Sequence, residues 1–191
     1  MSTRAFTQER GAPSGTSTTT FILAGGCFWC LDAVYRRVRG AVDVVSGYIG
    51  GHAPEPRYLE VCSGTTGHAE AVAVTFDPEV VPADVILDIF FATHDPTTPN
   101  RQGYDVGTQY RSAMFYLDEP QKSAFHAALE RSQERWDAPI VTEIVRAPRF
   151  HVAEEEHQDF YGRNPWEGYC RVIINPKLAK ARKYYSEWLL D

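Results

Sequence analysis

The sequence predicts an α+β fold: a ferredoxin-like β-α-β-β-α-β core, a mixed sheet with helices mainly on one face, and an irregular C-terminal extension. Three observations carry this. Short runs of β-branched and aromatic residues alternate with segments whose apolar residues recur every three or four positions. Gly and Pro clusters punctuate the chain between them. Through residue 117 the order reads strand, helix, strand, strand, helix, strand.

Residues 18–24 (TTTFILA) have strand composition and stop at Gly25-Gly26. From Phe28, the residues Leu31, Val34, Tyr35 and Val38 share one helix face, and Gly40 closes that helix. Residues 42–49 return to strand composition, and 52–67 read as a loop with about one helical turn. Residues 69–76 (AEAVAVTF) form a strand stopped by Asp77-Pro78. Residues 82–94 are helical, with Val85, Ile86, Ile89 and Phe90 on one face. After a second irregular stretch at 95–110, residues 112–117 form a strand. The extension then reads as a helix at 119–136, a strand at 140–145, a helix at 153–162 and a strand at 170–174. Asn175-Pro176 begins a final helix to residue 190, as its cap and first helical position.

With 191 residues, 43% of them hydrophobic and 23% charged, the chain suits a single globular domain at 19–191 behind a flexible, Ser/Thr/Gly/Pro-rich lead-in at 1–18. The net charge of −6 argues against a nucleic-acid or anionic-membrane partner. No stretch approaches the ~18 apolar residues of a membrane helix, and the lead-in lacks the apolar core of a secretory signal, so a cytoplasmic address is expected. Cysteines at 27, 30, 62 and 170 are too sparse for a disulfide scaffold. In a reducing compartment they are buried fillers, metal ligands or redox groups. In or beside the two irregular stretches stand Tyr58, His68, Glu70, His94, Asp95, Tyr104, Asp105 and Tyr110, which marks them as the place for a site.

Gly25-Gly26-Cys27-Phe28-Trp29-Cys30 runs from a strand end into a helix start. There a thiol meets unpaired backbone N–H groups and the positive end of the helix dipole, so its pKa is expected below the unperturbed ~8.5. Phe28 and Trp29 are placed to wall an apolar pocket, and Cys30 lies one helical turn on, within disulfide reach. The chain has no second C-x-x-C and no H-x-x-x-H, so a metal site is not expected.

These residues resemble a family. GGCFWC at 25–30, TGHAE at 66–70 and DVGTQYRS at 105–112, with EHQD at 156–159 and GYC at 168–170, are similar to the A class of peptide methionine sulfoxide reductases over about residues 19–185. The resemblance implies that Cys27 attacks the sulfoxide sulfur. It implies that Phe28 and Trp29 enclose the substrate methyl group and that Glu70 protonates the sulfoxide oxygen. Tyr58 and Tyr110 would hold that oxygen, with Asp105 beside them. It further implies the S epimer of methionine sulfoxide as substrate, in peptides and proteins. No metal or organic cofactor is implied; thioredoxin is the external reductant, and the chain is expected to act as a monomer. Attack leaves a sulfenic acid, which a second thiol converts to a disulfide. Both Cys170 and Cys30 are resolving candidates, with Cys170 favoured for the first attack. Cys62 reads as a buried structural thiol. Where the family more often has hydroxyl-bearing aromatics, this chain has His151 and Phe160. Three other readings remain open: a thioredoxin-like dithiol oxidoreductase, a thiol hydrolase pairing Cys27 with His68 or His157, and a non-enzymatic zinc or interaction domain.

Overall fold

The computed structural model describes residues 17–190, so the expected lead-in lies, except for Ser17 and Thr18, outside the described residues. In chain order the elements are β1 (Thr19–Gly25), α1 (Phe28–Tyr35), β2 (Ala41–Ile49), α2 (Tyr58–Cys62), β3 (Ala69–Phe76), α3 (Ala83–Thr93), β4 (Arg101–Gln102), β5 (Asp105–Val106), β6 (Ser112–Tyr116), α4 (Glu119–Gln133), β7 (Glu143–Arg146), β8 (His151–Val152), α5 (Phe160–Arg163) and α6 (Asn175–Tyr185). The main sheet runs β7-β6-β1-β3-β2-β8, while β4 and β5 form a separate hairpin. Its four central strands are antiparallel, and β7 joins β6 in parallel, which makes the sheet mixed. The α+β class and the mixed sheet are as expected.

Alternate side chains of each strand go to opposite faces. Phe21, Leu23, Val72, Val74 and Met114 pack against apolar residues of α1, α3, α4 and α6. On the other face, Ile22, Ala24, Ala71, Ala73, Ala113 and Phe115 form a shallow, alanine-rich layer under Phe150, with no helix residue in it. The helices therefore share one face. α1 is buried at every position except Trp29, so its start is held firmly beneath the ends of β1 and β3. Asp32, within α1, is buried too; its carboxylate takes the Arg36 guanidinium at 2.9 Å and the Ser46 hydroxyl at 3.4 Å, tying α1 to β2.

The extension departs from its expected elements. Residues 170–174, expected as a strand, are helical with π pitch and continue into α6. Their β-branched composition suits a strand. However, Cys170, Ile174, Leu178 and Ala181 are the buried residues, and that spacing is helical, with all four joining the helix-side core. Asn175 is thus inside a continuous helix rather than at a cap, and its Oδ1 accepts the Tyr161 hydroxyl at 2.7 Å. The helix expected at 153–162 is broken into a 3₁₀ turn, Glu155–His157, and the four-residue α5. Between them Gln158 is fixed on β2: its Oε1 accepts the Ser46 N–H at 2.9 Å and its Nε2 donates to the Ser46 carbonyl at 3.0 Å. Asp159 then takes a left-handed φ of 50°. The strand expected at 140–145 forms at β7 instead. The last helix ends at Tyr185 in a 3₁₀ turn, Ser186–Trp188.

Gly47 shows how tightly β8 is laid on β2. A Cβ there would collide with the His151 carbonyl oxygen and the Phe150 ring, both of which belong to the strap covering the alanine face. Gly47→Ala is expected to destabilise the fold by about 1–3 kcal/mol, an overpacking cost. It should be read as a lowered urea midpoint with unchanged slope, and an unshifted midpoint would show that the strap yields freely.

Candidate active site

β1 ends at Gly25, and Gly26 turns the chain with φ of 89°. The Gln102 side chain of the β4–β5 hairpin lies against Gly26 where a Cβ would be. That amide is itself held by both backbone groups of Asp95, at 3.1 Å each. The turn places Cys27 at the N-cap of α1, only 6% exposed.

Glu70 comes from β3, opposite Tyr48 of β2, and is 1% exposed. Its Oε2 accepts the Phe28 N–H at 3.0 Å, and the carboxyl is also hydrogen-bonded to the Cys27 thiol. Burial dominates its ionisation and pushes it up to about 8; the charge of Asp105 adds to this and the bond from Phe28 opposes it. Glu70 therefore holds its proton at neutral pH.

The lowered pKa expected for Cys27 does not appear. Burial pushes the thiol well up, and the hydrogen bond to Cys30 and the charge of Glu70 act in the same direction. The helix N–H that was expected to face the sulfur is occupied by Glu70. Cys30 accounts for the other half of the pair: its bond to Cys27 lowers it to about 7 against the effect of burial. The two thiols titrate as a pair, with the first ionisation eased at the expense of the second.

Around this pair stands an aromatic box. Trp29 lies flat on Phe160, with ring centroids 3.8 Å apart and planes 7° apart. Its indole N–H donates to His157 Nδ1 at 3.3 Å, which makes His157 a holder of the ring. Tyr58 stacks on Trp29 and on Phe28, at 5.9 and 6.3 Å. Glu154 fixes two members of the wall, accepting the Tyr58 N–H at 2.9 Å and the Tyr48 hydroxyl at 2.8 Å. Burial first, and then nearby charges that include Cys62, Glu70 and Cys27, raise both Tyr58 and Tyr110. Cys62 is half-buried rather than buried, and its thiol is hydrogen-bonded to Tyr58.

Asp105, at the start of β5, accepts the Tyr169 hydroxyl at 2.7 Å. The same hydroxyl is hydrogen-bonded to Cys27 and Cys30. Tyr169 has its edge against Trp29, 5.7 Å between centroids, and so closes the tail over the thiol pair. The structure thus brings together Cys27, Cys30, Glu70, Phe28, Trp29, Tyr58, Tyr110 and Asp105. Cys170 follows Tyr169 but is buried at the start of the C-terminal helical run, and all four cysteines are free. Sequence reasoning gave no role to Tyr169 or Glu154. The adjacency of Tyr169 to Cys170 was a signal for the first, and no local signal pointed to the second. Among the described residues no group of three or more His, Cys, Asp or Glu side chains is arranged to hold a metal ion.

A family model described as peptide methionine sulfoxide reductase matches residues 19–189. The peptide methionine sulfoxide reductase MsrA of Pseudarthrobacter chlorophenolicus is 69% identical over 170 residues, which cover 89% of this chain and 98% of that protein. The crystal structure of Mxr1 from Saccharomyces cerevisiae in reduced form matches with a TM-score of 0.76 and 35% identity, over 84% of this chain and 92% of that one. Mxr1 in complex with Trx2 matches with a TM-score of 0.54 and 25% identity, over 80% and 90% of the two chains.

The buried carboxyl has a consequence for stability. Between about 4.5, the usual carboxyl value, and about 8, the folded protein keeps a proton on Glu70 that the unfolded chain releases. This contribution to stability is full below the lower value and is lost as the pH rises through the upper one. Relative to Glu70→Gln, which does not titrate there, the wild-type protein should lose stability across that window and level off above it. Urea midpoints of both proteins from pH 5 to 9 test this, and a constant difference would mean that Glu70 is ionised in the fold.

Proposed function

The chain belongs to the peptide methionine sulfoxide reductase family, and on that premise we propose that it reduces the S epimer of methionine sulfoxide in peptides and proteins, with Cys27 as nucleophile and thioredoxin as reductant. The observation that carries this reading is the buried contact between a thiol and a carboxyl that stays protonated at neutral pH. A sulfoxide oxygen leaves poorly until it is protonated, and a neutral carboxyl is the group that can supply the proton.

In the proposed scheme the Cys27 sulfur attacks the sulfoxide sulfur while Glu70 gives its proton to the oxygen and takes up the one that the thiol loses. The hydroxyls of Tyr58 and Tyr110 donate to that oxygen, and Asp105 orders the polar side of the pocket. The oxygen passes to Cys27, which becomes a sulfenic acid, and the substrate leaves as a thioether; Cys27 loses two electrons and the substrate gains them. Phe28 and Trp29 enclose the methyl group. Stereochemical preference follows from these two unlike walls: the opposite epimer would set its oxygen against the aromatic rings and its methyl group against Glu70. Tyr169 must move aside to admit the sulfoxide.

A second thiol then attacks the sulfenic sulfur, forming a disulfide and releasing water. The contacts favour Cys30 for this step, because it is already hydrogen-bonded to Cys27. Cys170, one residue beyond the Tyr169 closure, collects the disulfide when the tail moves, which reverses the order expected from the sequence. The dithiol of thioredoxin reduces that disulfide and restores the enzyme; the Mxr1–Trx2 complex among the similar structures supports this partner. No metal or organic cofactor enters the scheme. Four free thiols suit the cytoplasm. No described helix is long and apolar enough to cross a membrane.

Thioredoxin-coupled NADPH oxidation with each resolved epimer of an N-capped methionine sulfoxide tests the proposal. Turnover is expected on the S epimer alone and should vanish in Cys27→Ser; equal turnover of both epimers, or activity in the mutant, would refute it. Cys30→Ser should still form one equivalent of methionine per enzyme but lose most of its sustained turnover. Undiminished cycling in that variant would assign the resolving step to Cys170.

A further inference from the structure

Gln109 has no part in the scheme above, yet it is 3% exposed and joins the two elements that carry the tyrosines. Its Nε2 donates to the Cys62 carbonyl at 3.1 Å. That carbonyl lies in the last turn of α2, where intrahelical donors have run out. The N–H groups of Ser63 and Gly64 go instead to Leu59 and Val61. α2 has five residues, far too few to hold a helical position unaided. It is held at its two ends: Glu154 accepts the Tyr58 N–H at 2.9 Å, and Gln109 donates to Cys62.

Tyr110 follows Gln109 directly, on the 3₁₀ turn Thr108–Tyr110 that starts from Gly107. Tyr58 and Cys62 stand one helical turn apart on α2. One amide therefore bridges the base of Tyr58's helix and the turn that carries Tyr110. The space for it is made by glycine: at Gly107, with φ of 149°, a Cβ would collide with the Gln109 amide. The amide's Oε1 is buried and has no hydrogen-bond partner, so its orientation is set by the bond to Cys62; turned over, it would put one carbonyl oxygen against another.

We infer that Gln109 is a positioning residue for the reaction: its side-chain amide fixes the separation of the Tyr58 and Tyr110 hydroxyls and so the geometry in which they receive the sulfoxide oxygen. The inference rests on the proposed role of those hydroxyls. Holding two donors at a set spacing matters because transition-state stabilisation falls off steeply when a donor is misplaced by even an ångström.

The experiment is a coupling measurement. Gln109→Met keeps the length of the side chain and removes the donor; Gln109→Leu, shorter and also without a donor, serves if the methionine variant does not fold. The single-turnover rate of methionine formation should fall roughly tenfold or more, with KM for the sulfoxide changed by less than about twofold. In a Tyr58→Phe, Tyr110→Phe background the same substitution should cause no further loss. An undiminished rate in the single variant, or an equal fold-loss in both backgrounds, would overturn the inference. A full rate in the double phenylalanine variant alone would instead overturn the role of the hydroxyls, and this inference with it.

Discussion

The acceptance of the Phe28 N–H by Glu70 is the contact on which the rest of the site depends. It joins a central strand of the sheet to the first residue of a helix that is itself almost wholly buried. Strand order makes the contact possible: β3 lies between β1 and β2, so a carboxyl at its end is shielded from both sides and is carried to the start of α1. An ionised carboxylate in such a place is expensive, and it keeps its proton instead. The same burial that stabilises the sheet thus sets the protonation state of the acid. Neither the fold nor the chemistry is separable from where β3 sits.

The walls of the site are assembled from distant parts of the chain, and the tail does most of the holding. His157 takes the indole N–H of Trp29 across 128 positions of sequence, and Glu154 reaches Tyr58 across 96. Gln158 pins the segment that carries both to β2 through two bonds with Ser46. Aromatic rings that form the walls of a pocket keep one orientation only when their rotamers are locked by neighbours, and this tail supplies the lock.

Much of this was legible in the sequence because the relevant signals are local. The strand that ends at Gly25-Gly26, the thiol at the start of α1 and the alternating apolar pattern of residues 69–76 each declare themselves over a few residues. Glu70 could be named through the resemblance of TGHAE, but its protonation required the burial that only packing reveals. The pKa of Cys27 went the other way for the same reason: the helix-start argument is sound for an exposed thiol, and here the N–H was taken and the sulfur enclosed. The run CRVII read as a strand because propensity was weighed over five residues, whereas its helical spacing emerges only when Leu178 and Ala181 are counted with it. Contacts such as Tyr169 with Asp105 join residues 64 apart and leave no trace in either neighbourhood.

The closure of Tyr169 over Cys27 and Cys30 bears on the life of such a protein among oxidants. A thiol is damaged in proportion to its thiolate character and its access to small peroxides. Here both thiols are buried and capped by a phenol, so hydrogen peroxide in bulk solution has little access to them. A bound side chain that displaces the cap would bring its own oxygen directly to the thiol. Reactivity is then gated by recognition, and a repair catalyst built this way would be spared the damage it exists to reverse.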